Sequence, residues 1–124
     1  SIYGEYVTEY TRKGSNLFAI ITNDGWWDVS EGHKQHLSYA KLRAIENRRN
    51  IVRSANTGIS AVINYKGEII KSIGYGEEGF INTEVSLLNK TTFYVKYGDF
   101  IFRLSLFFLI IITLHFFATT LRIK

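Results

Sequence analysis

The sequence predicts an α/β fold with a mixed sheet, followed by one transmembrane helix, and three observations carry that expectation. Hydrophobic periodicity runs in the order helix, strand, helix, then several strands, which is the succession of an α/β layer. Lys66-Gly67 sits between two apolar runs as a tight turn, so those runs form an antiparallel hairpin. Residues 104–121 then carry no charge at all, and at ~1.5 Å per residue they make a helix of roughly 27 Å. With Phe100, Ile101 and Phe102 added, the run suffices for a hydrocarbon core about 30 Å thick, and Arg103 is placed to snorkel from one end.

The elements can be justified in order. Tyr3, Tyr6, Val7 and Tyr10 recur at helical spacing, and Gly14 after Arg12 and Lys13 is a helix stop. Residues 17–22 are a continuous apolar run, read as a strand buried on both faces. Residues 23–32 are polar, hold two glycines and yet carry Trp26 and Trp27, so they read as a loop. From 34 to 49, Leu37, Ala40 and Ala44, with Leu42 and Ile45 on an adjoining face, predict a helix with a broad apolar surface. Strands follow at 51–55, 59–65 and 68–73, with a further strand expected at 80–85 and a connector from 86 to 99. Tyr94 and Tyr97 precede the terminal run and fit an interfacial aromatic belt, while His115 is the one ionisable residue within it.

Charge excludes one class of function. The net charge is +4, but Arg103, Arg122 and Lys124 belong to the ends of the apolar helix, and residues 1–99 hold 12 basic against 11 acidic groups. That is no nucleic-acid footprint. The chain has no Cys, hence no disulfide, thiolate metal site or thiol nucleophile of its own. It has no Met either, and a start at Ser1 within a helical pattern reads as a fragment of a longer protein. His33 and His36 lack a third ligand in register, so hydrogen bonding is expected of them and no metal or cofactor is.

Several residues stand out as candidates, each with a plainer alternative. Trp26 and Trp27 either line an apolar pocket or cover the core from their loop. Asn23 and Asp24, at the end of the first strand, either orient reacting groups or cap the turn through their own backbone. Arg43 and Glu46 either form a surface bridge worth ~0.3 to 0.5 kcal/mol, or Glu46 turns inward and anchors the strands after the helix, which is the reading adopted. Asn56-Thr57-Gly58 is a turn between strands. Ser54 and Ser60 suggest no serine hydrolase, because no G-x-S-x-G elbow exists, and Gly74-Tyr75-Gly76 is too sparse for a phosphate loop.

Taken together, Asn23-Asp24-Gly25-Trp26-Trp27, Gln35-His36, Arg43-Ala44-Ile45-Glu46-Asn47 and Arg53-Ser54-Ala55-Asn56-Thr57-Gly58-Ile59-Ser60 resemble the N-D-A-W-F, Q-H, R-A-x-E and R-x-x-N-x-G-x-S/T motifs of the apolipoprotein N-acyltransferases. These enzymes are a membrane branch of the nitrilase, or carbon-nitrogen hydrolase, superfamily. Order and spacing agree over roughly the first 70 residues; no single motif is specific, but four in register are. Trp27 stands where the family commonly has Phe.

The resemblance implies the C-terminal part of a nitrilase-like α-β-β-α sandwich at residues 1–90, a connector at 91–99, a transmembrane helix at 100–121 and a tail at 122–124. It implies an enzyme of the bacterial inner membrane with this domain on the periplasmic side. Its partners would be a phospholipid acyl donor, a diacylglyceryl apolipoprotein acceptor and the membrane itself, with a cysteine thioester as intermediate. The family's Cys, Glu and Lys precede the present chain, the Cys in a C-Y-E motif directly before Ser1, so no catalytic residue is assigned and the chain alone is expected to be inert. Trp26, Trp27, Asn23 and Asp24 are then substrate-binding candidates, and Arg43, Glu46, Asn56 and Gly58 structural neighbours of the site. The alternatives are a membrane-anchored nitrilase-like amidase and a non-enzymatic tethered module.

Overall fold

A computed structural model describes residues 2–28 and 30–122, with side chains up to residue 120. Ser1, the anchor of the expected motif boundary, and residues 123 and 124 of the expected tail lie outside the described residues.

Helix α1, Gly4–Arg12, has Glu5 in its first turn and Arg12 in its last, each favourable at its end of the helix dipole. It stops where Gly14 adopts φ 97° and Ser15 N–H returns to the Tyr10 carbonyl at 2.9 Å. Its buried residues are Thr8 and Thr11, with the Thr11 hydroxyl donating to Asn47 Oδ1 at 2.8 Å. Tyr3, Tyr6 and Tyr10, the stripe that predicts the helix, face outward.

Strands β1 (Leu17–Thr22) and β2 (Asn50–Ala55) are parallel, registered from Leu17 opposite Asn50 to Thr22 opposite Ala55. Helix α2, Gly32–Asn47, is the crossover between them, as a parallel pair requires. Strands β3 (Ser60–Ile63) and β4 (Ile69–Ile73) add antiparallel neighbours, so the four-stranded sheet is mixed and runs β1-β2-β3-β4. The turn between β3 and β4 is built as expected: Asn64 Oδ1 accepts the Lys66 and Glu68 amides at 2.9 and 3.0 Å, and Gly67 takes φ 83°. Leu37, Ala40 and Ala44 of α2 pack on Ile51, Ala61 and Ile63, the two alanines allowing close approach of helix to sheet. Burying Ile51 and Ile63 completely contributes about 1.5–3 kcal/mol each. Leu42 and Ile45, on the adjoining face, are exposed.

Three expectations need correction. Strand β1 is not buried on both faces: it is the outermost strand and Ile21 is 90% exposed. Its apolar side chains outrun the cover available among the described residues. Helix α2 spans 32–47 rather than 34–49, because Arg48 turns left-handed at φ 50° and Arg49 is drawn into a separate network. Residues 80–85 form no strand. Their surroundings are held by isolated bonds instead of a ladder: Lys71 Nζ to the Asn82 carbonyl, Asn50 Nδ2 to Ser86, and Leu88 N–H to Asn16, at 2.8, 2.8 and 3.1 Å.

Arg49 is the main fastener here. Buried, it donates from Nε to the Ser15 carbonyl and from Nη1 to that of Lys90, both at 2.6 Å, so one guanidinium joins the end of α1 to the chain after the sheet. Burial lowers its pKa from the usual arginine value. The chain then enters the short helix α3, Phe93–Tyr97, capped by the Thr92 hydroxyl accepting from Val95 N–H at 3.0 Å. Gly98, at φ 70°, breaks α3 from α4, Phe100–Arg122, whose first turn is capped by Asp99 Oδ1 accepting from Phe102 N–H at 3.0 Å.

From Phe100 to Thr120, α4 is long and apolar enough to cross a membrane, with a mean hydropathy of 2.3 and no residue of that window buried against the rest of the chain. Thr113 and Thr120 return their hydroxyls to the carbonyls of Leu109 and Phe116 at 2.7 and 2.8 Å, satisfying them inside the helix as a hydrocarbon surrounding demands.

The open side of β1 and the exposed apolar side chains have a measurable consequence. Residues 1–99 expressed alone should self-associate and melt without a cooperative transition, because unpaired strand edges invite pairing between copies. Circular-dichroism melts with sedimentation velocity check this; a monomer with a sharp transition would show the sheet to be complete.

Candidate active-site region

Parallel strands β1 and β2 end side by side at Thr22 and Ala55, and the loops leaving them, 23–31 and 56–59, meet beyond those carboxyl ends. This is where α/β sheets generally place ligands. Asp24 lies at the centre with no exposed surface. Its Oδ2 accepts from Arg53 Nη2 at 2.6 Å, and its Oδ1 lies 2.9 Å from His36 Nδ1 and accepts from the Thr22 hydroxyl at 3.1 Å. Arg53, equally buried, also donates to the Ile59 carbonyl. Gly58 completes the arrangement: a Cβ there would overlap the Asp24 carboxyl group. Three of the four sequence motifs thus converge on one carboxylate.

Burial pushes the Asp24 pKa up, but hydrogen bonds from Arg53 and His36, the Arg53 charge and the Thr22 hydroxyl outweigh it, and the net shift is downward. Asp24 is therefore the anionic partner of a buried cation at neutral pH. It neither caps its own turn nor stands free to act as a general base.

Asn23 does cap its turn, its Oδ1 accepting from Gly25 N–H at 3.0 Å. The following 3-10 turn, Gly25–Trp27, presents the two indoles differently. Trp26 is 85% exposed; Trp27 is 38% exposed, packs edge-on against the His36 ring with centroids 5.1 Å apart, and crowds Gly32. Asn56 N–H donates to the Thr22 carbonyl at 3.0 Å, prolonging the parallel ladder by one rung, and the Ser60 hydroxyl accepts from Ala55 N–H at 3.1 Å, closing the β2–β3 turn. His33 meets the Tyr75 ring at 4.5 Å. Among the described residues no group of three His, Cys, Asp or Glu has metal-binding geometry.

Arg43 and Glu46 form a second cluster, on the α1 side of α2. Arg43 Nη2 donates to Glu46 Oε1 at 2.7 Å, Nε lies 2.7 Å from Oε2, and Nη1 donates to the Ile2 carbonyl at 2.9 Å. The expectation that Glu46 anchors the strands is thus incorrect: Arg43 takes its carboxylate, and its backbone carbonyl accepts from the Thr92 hydroxyl. Nor is the bridge a surface one, since Arg43 is buried. Burial raises the Glu46 pKa, Arg43 opposing by charge and hydrogen bond. A Cβ on Gly4 would lie 2.6 Å from the Tyr94 hydroxyl and 3.0 Å from Arg43 Nη1, so the start of α1 is seated on α2 and α3 together.

The sequence singled out Asp24 without its partner. Arg53 was visible only as the first letter of a motif, because a contact across 29 positions and two elements has no local periodicity. Arg49 and Arg12, which donates to the Val95 carbonyl at 2.7 Å, left no signal beyond being basic.

Comparison with known proteins defines the class. The carbon-nitrogen hydrolase family model matches residues 1–91, and the chain belongs to that family. Among curated relatives, the apolipoprotein N-acyltransferase of Geobacter metallireducens is 42% identical over 98 residues, covering 79% of this chain and 19% of that protein. Its namesake from Bradyrhizobium diazoefficiens is 47% identical over 79 residues, covering 64% and 15%. That of Borreliella burgdorferi is 35% identical over 108 residues, covering 86% and 21%, so this likeness continues past the family-model match toward α4. The chain spans about a fifth or less of the length of these relatives.

Removing Asp24 strands a buried guanidinium. Asp24→Ala in the full-length protein should cost ~3–5 kcal/mol of stability, read from denaturant midpoints. Because the folded pKa of Asp24 is depressed, its contribution is present above the usual carboxylate value near 3.9 and is lost as pH falls through the lower folded value. The gap in thermal midpoint between wild type and Asp24→Ala should therefore narrow in that acidic window. A gap independent of pH would remove Asp24 from the role of buried anion.

Proposed function

We propose that this chain is the C-terminal part of a membrane acyltransferase of the apolipoprotein N-acyltransferase type. The observation that carries the reading is the likeness to enzymes of that name across most of the chain, together with a terminal helix able to cross a membrane. In the first step a cysteine thiolate from the preceding part of the protein attacks the ester carbonyl of a phospholipid. The tetrahedral oxyanion collapses, the lysophospholipid leaves as the alcohol after taking up a proton, and the acyl group remains as a thioester. In the second step the α-amino group of a diacylglyceryl-cysteine attacks that thioester, an amide forms, and the thiolate is released. A Glu serves as general base and a Lys stabilises the oxyanion, both outside this chain. The domain faces the periplasm and α4 crosses the inner membrane.

Within this scheme the loop carrying Asn23, Asp24, Trp26 and Trp27 forms one wall of the substrate site, at the carboxyl ends of β1 and β2. Asp24 positions it through Arg53 and His36, and Gly58 leaves room for that carboxylate. Trp26, the exposed indole, contacts acyl chains, while Trp27 holds the loop against His36. Arg43 and Glu46 seat the start of α1 just behind the nucleophile, and Asn56 completes the strand register beside it.

The full-length protein incubated with phospholipid vesicles should form an acyl-enzyme labile to hydroxylamine, and the present chain should remain unmodified because it has no Cys. Acylation of the present chain, or ammonia release from amides without transfer to an amine, would overturn the assignment. Trp26→Ala should slow acyl transfer at nearly unchanged thermal stability; Trp27→Ala should lower both, with a folding cost up to ~3 kcal/mol, since its ring is only part-covered. Undiminished transfer per folded molecule in Trp26→Ala would make that indole structural.

A further inference from the structure

Glu5 lies in the first turn of α1, yet its side chain reaches the root of α4. Its Oε1 accepts the Asp99 backbone N–H at 2.8 Å and pairs with Arg103 Nη2 at 2.9 Å. The same oxygen occupies the space that a Cβ on Gly98 would fill, so the carboxylate sits in a notch that only glycine leaves open. Arg103 Nη1 also donates to the Tyr97 carbonyl at 3.2 Å, and the Phe93 ring meets Phe100 edge-on at 5.0 Å. Those two contacts are local to the α3–α4 break. The bridge from a distant part of the sequence is Glu5.

Stability does not explain this bridge. The Glu5 and Arg103 side chains are 47% and 63% exposed, and ion pairs so open to solvent contribute little. What the bridge fixes is an angle. Gly98 at φ 70° is where the chain leaves the domain for an apolar helix, and its backbone alone would let α4 swing. Holding the Asp99 amide and the Arg103 guanidinium from α1, with the carboxylate seated in the Gly98 notch, biases α4 toward one angle. The start of α1 is meanwhile fixed to the domain by Arg43 on the Ile2 carbonyl and by the Tyr94 hydroxyl against Gly4.

We infer that Glu5 is a positioning residue, which through Asp99 N–H and Arg103 locks the membrane helix to the first turn of α1 and so sets the height of the active site above the bilayer. The inference rests on the acyltransferase reading for its effect on catalysis, though not for the lock itself. An acyl donor embedded in a bilayer must present its ester at one depth, whereas a donor dissolved in water meets the site at any height. The lock therefore governs reaction with the first and is indifferent to the second.

The test uses the full-length protein in vesicles of phosphatidylethanolamine and phosphatidylglycerol. Glu5→Ala should slow acyl-enzyme formation from bilayer phospholipid about ten-fold, the scale expected when reactants are misplaced by a fraction of an ångström to an ångström. It should leave formation from a water-soluble short-chain thioester unchanged. Gly98→Ala should act the same way by expelling the carboxylate, whereas Glu5→Gln, whose amide oxygen still accepts the Asp99 N–H, should keep part of the bilayer rate. Equal loss with both donors, or no loss with either, would overturn the positioning role.

A second measurement separates the lock from the reaction. With the nucleophile replaced by Ala, nitroxides at Ser38→Cys on the outer face of α2 and Ser105→Cys on α4 should give a narrow distance distribution that broadens in Glu5→Ala. An unchanged distribution would overturn the lock. A broadened one in a protein that never acylates from phospholipid would instead overturn the function proposed above and leave the lock standing.

Discussion

A buried carboxylate facing a buried guanidinium is the constraint on which the loop end of this domain depends. Neither Asp24 nor Arg53 has exposed side-chain surface, and either alone would be an uncompensated charge in the interior. Their pairing at 2.6 Å dictates the neighbours: a hydroxyl from Thr22 and an imidazole from His36 on the other carboxylate oxygen, and Gly58 because a side chain there has no room. His36 then fixes where Trp27 packs. The aromatic loop is thus held by electrostatics beneath it more than by its own apolar contacts, since Trp26 is 85% exposed.

This explains how much of the fold and site was legible in the sequence. Elements with strong local signals were read nearly to the residue: β1 by its unbroken apolar run, the β3–β4 turn by Lys66-Gly67, α2 by its alanine and leucine spacing, α4 by the absence of charge. Errors fell where structure is decided by partners far away in sequence. Residues 80–85 have strand composition but find no ladder among the described residues, because Asn50 and Lys71 side chains take single carbonyls from the segment they belong to. Glu46 has the spacing of a surface bridge or an inward anchor, and does neither: Arg43 holds it in a half-buried pair whose other end grips α1. The candidate site was legible as a set of motifs, but not as a geometry, since the motifs meet in space only through Asp24.

The polar interior of the α1 side has a common logic. Thr11 with Asn47, Arg12 with the Val95 carbonyl, Arg49 with the Ser15 and Lys90 carbonyls, and Arg43 with the Ile2 carbonyl all satisfy backbone or amide groups that no helix or strand ladder serves. Buried backbone oxygens require donors, and a guanidinium supplies several in a fixed fork. An amide NH2 offers two donors from one nitrogen, whereas the wider guanidinium fork lets Arg49 join segments 34 and 41 positions away at once. These joints tie the irregular chain after β4 to α1 and to the sheet.

That irregular path decides where the apolar helix α4 begins. A strand at 80–85 would continue the sheet, whereas the fastened coil carries the chain back across α2 to place α3 against α1. The root of α4 consequently lies beside the first turn of α1 and not at the far edge of the sheet, with Arg103 and the Phe93–Tyr97–Phe100 ring cluster facing the same junction. Aromatic rings and a snorkelling arginine suit a membrane interface. The part of the domain beside that root is the start of α1, held by Arg43 and linked to α4 by Glu5. Arg49 and Arg12 do not touch that junction, but without the path they fix, Glu5 would have no Asp99 amide to hold.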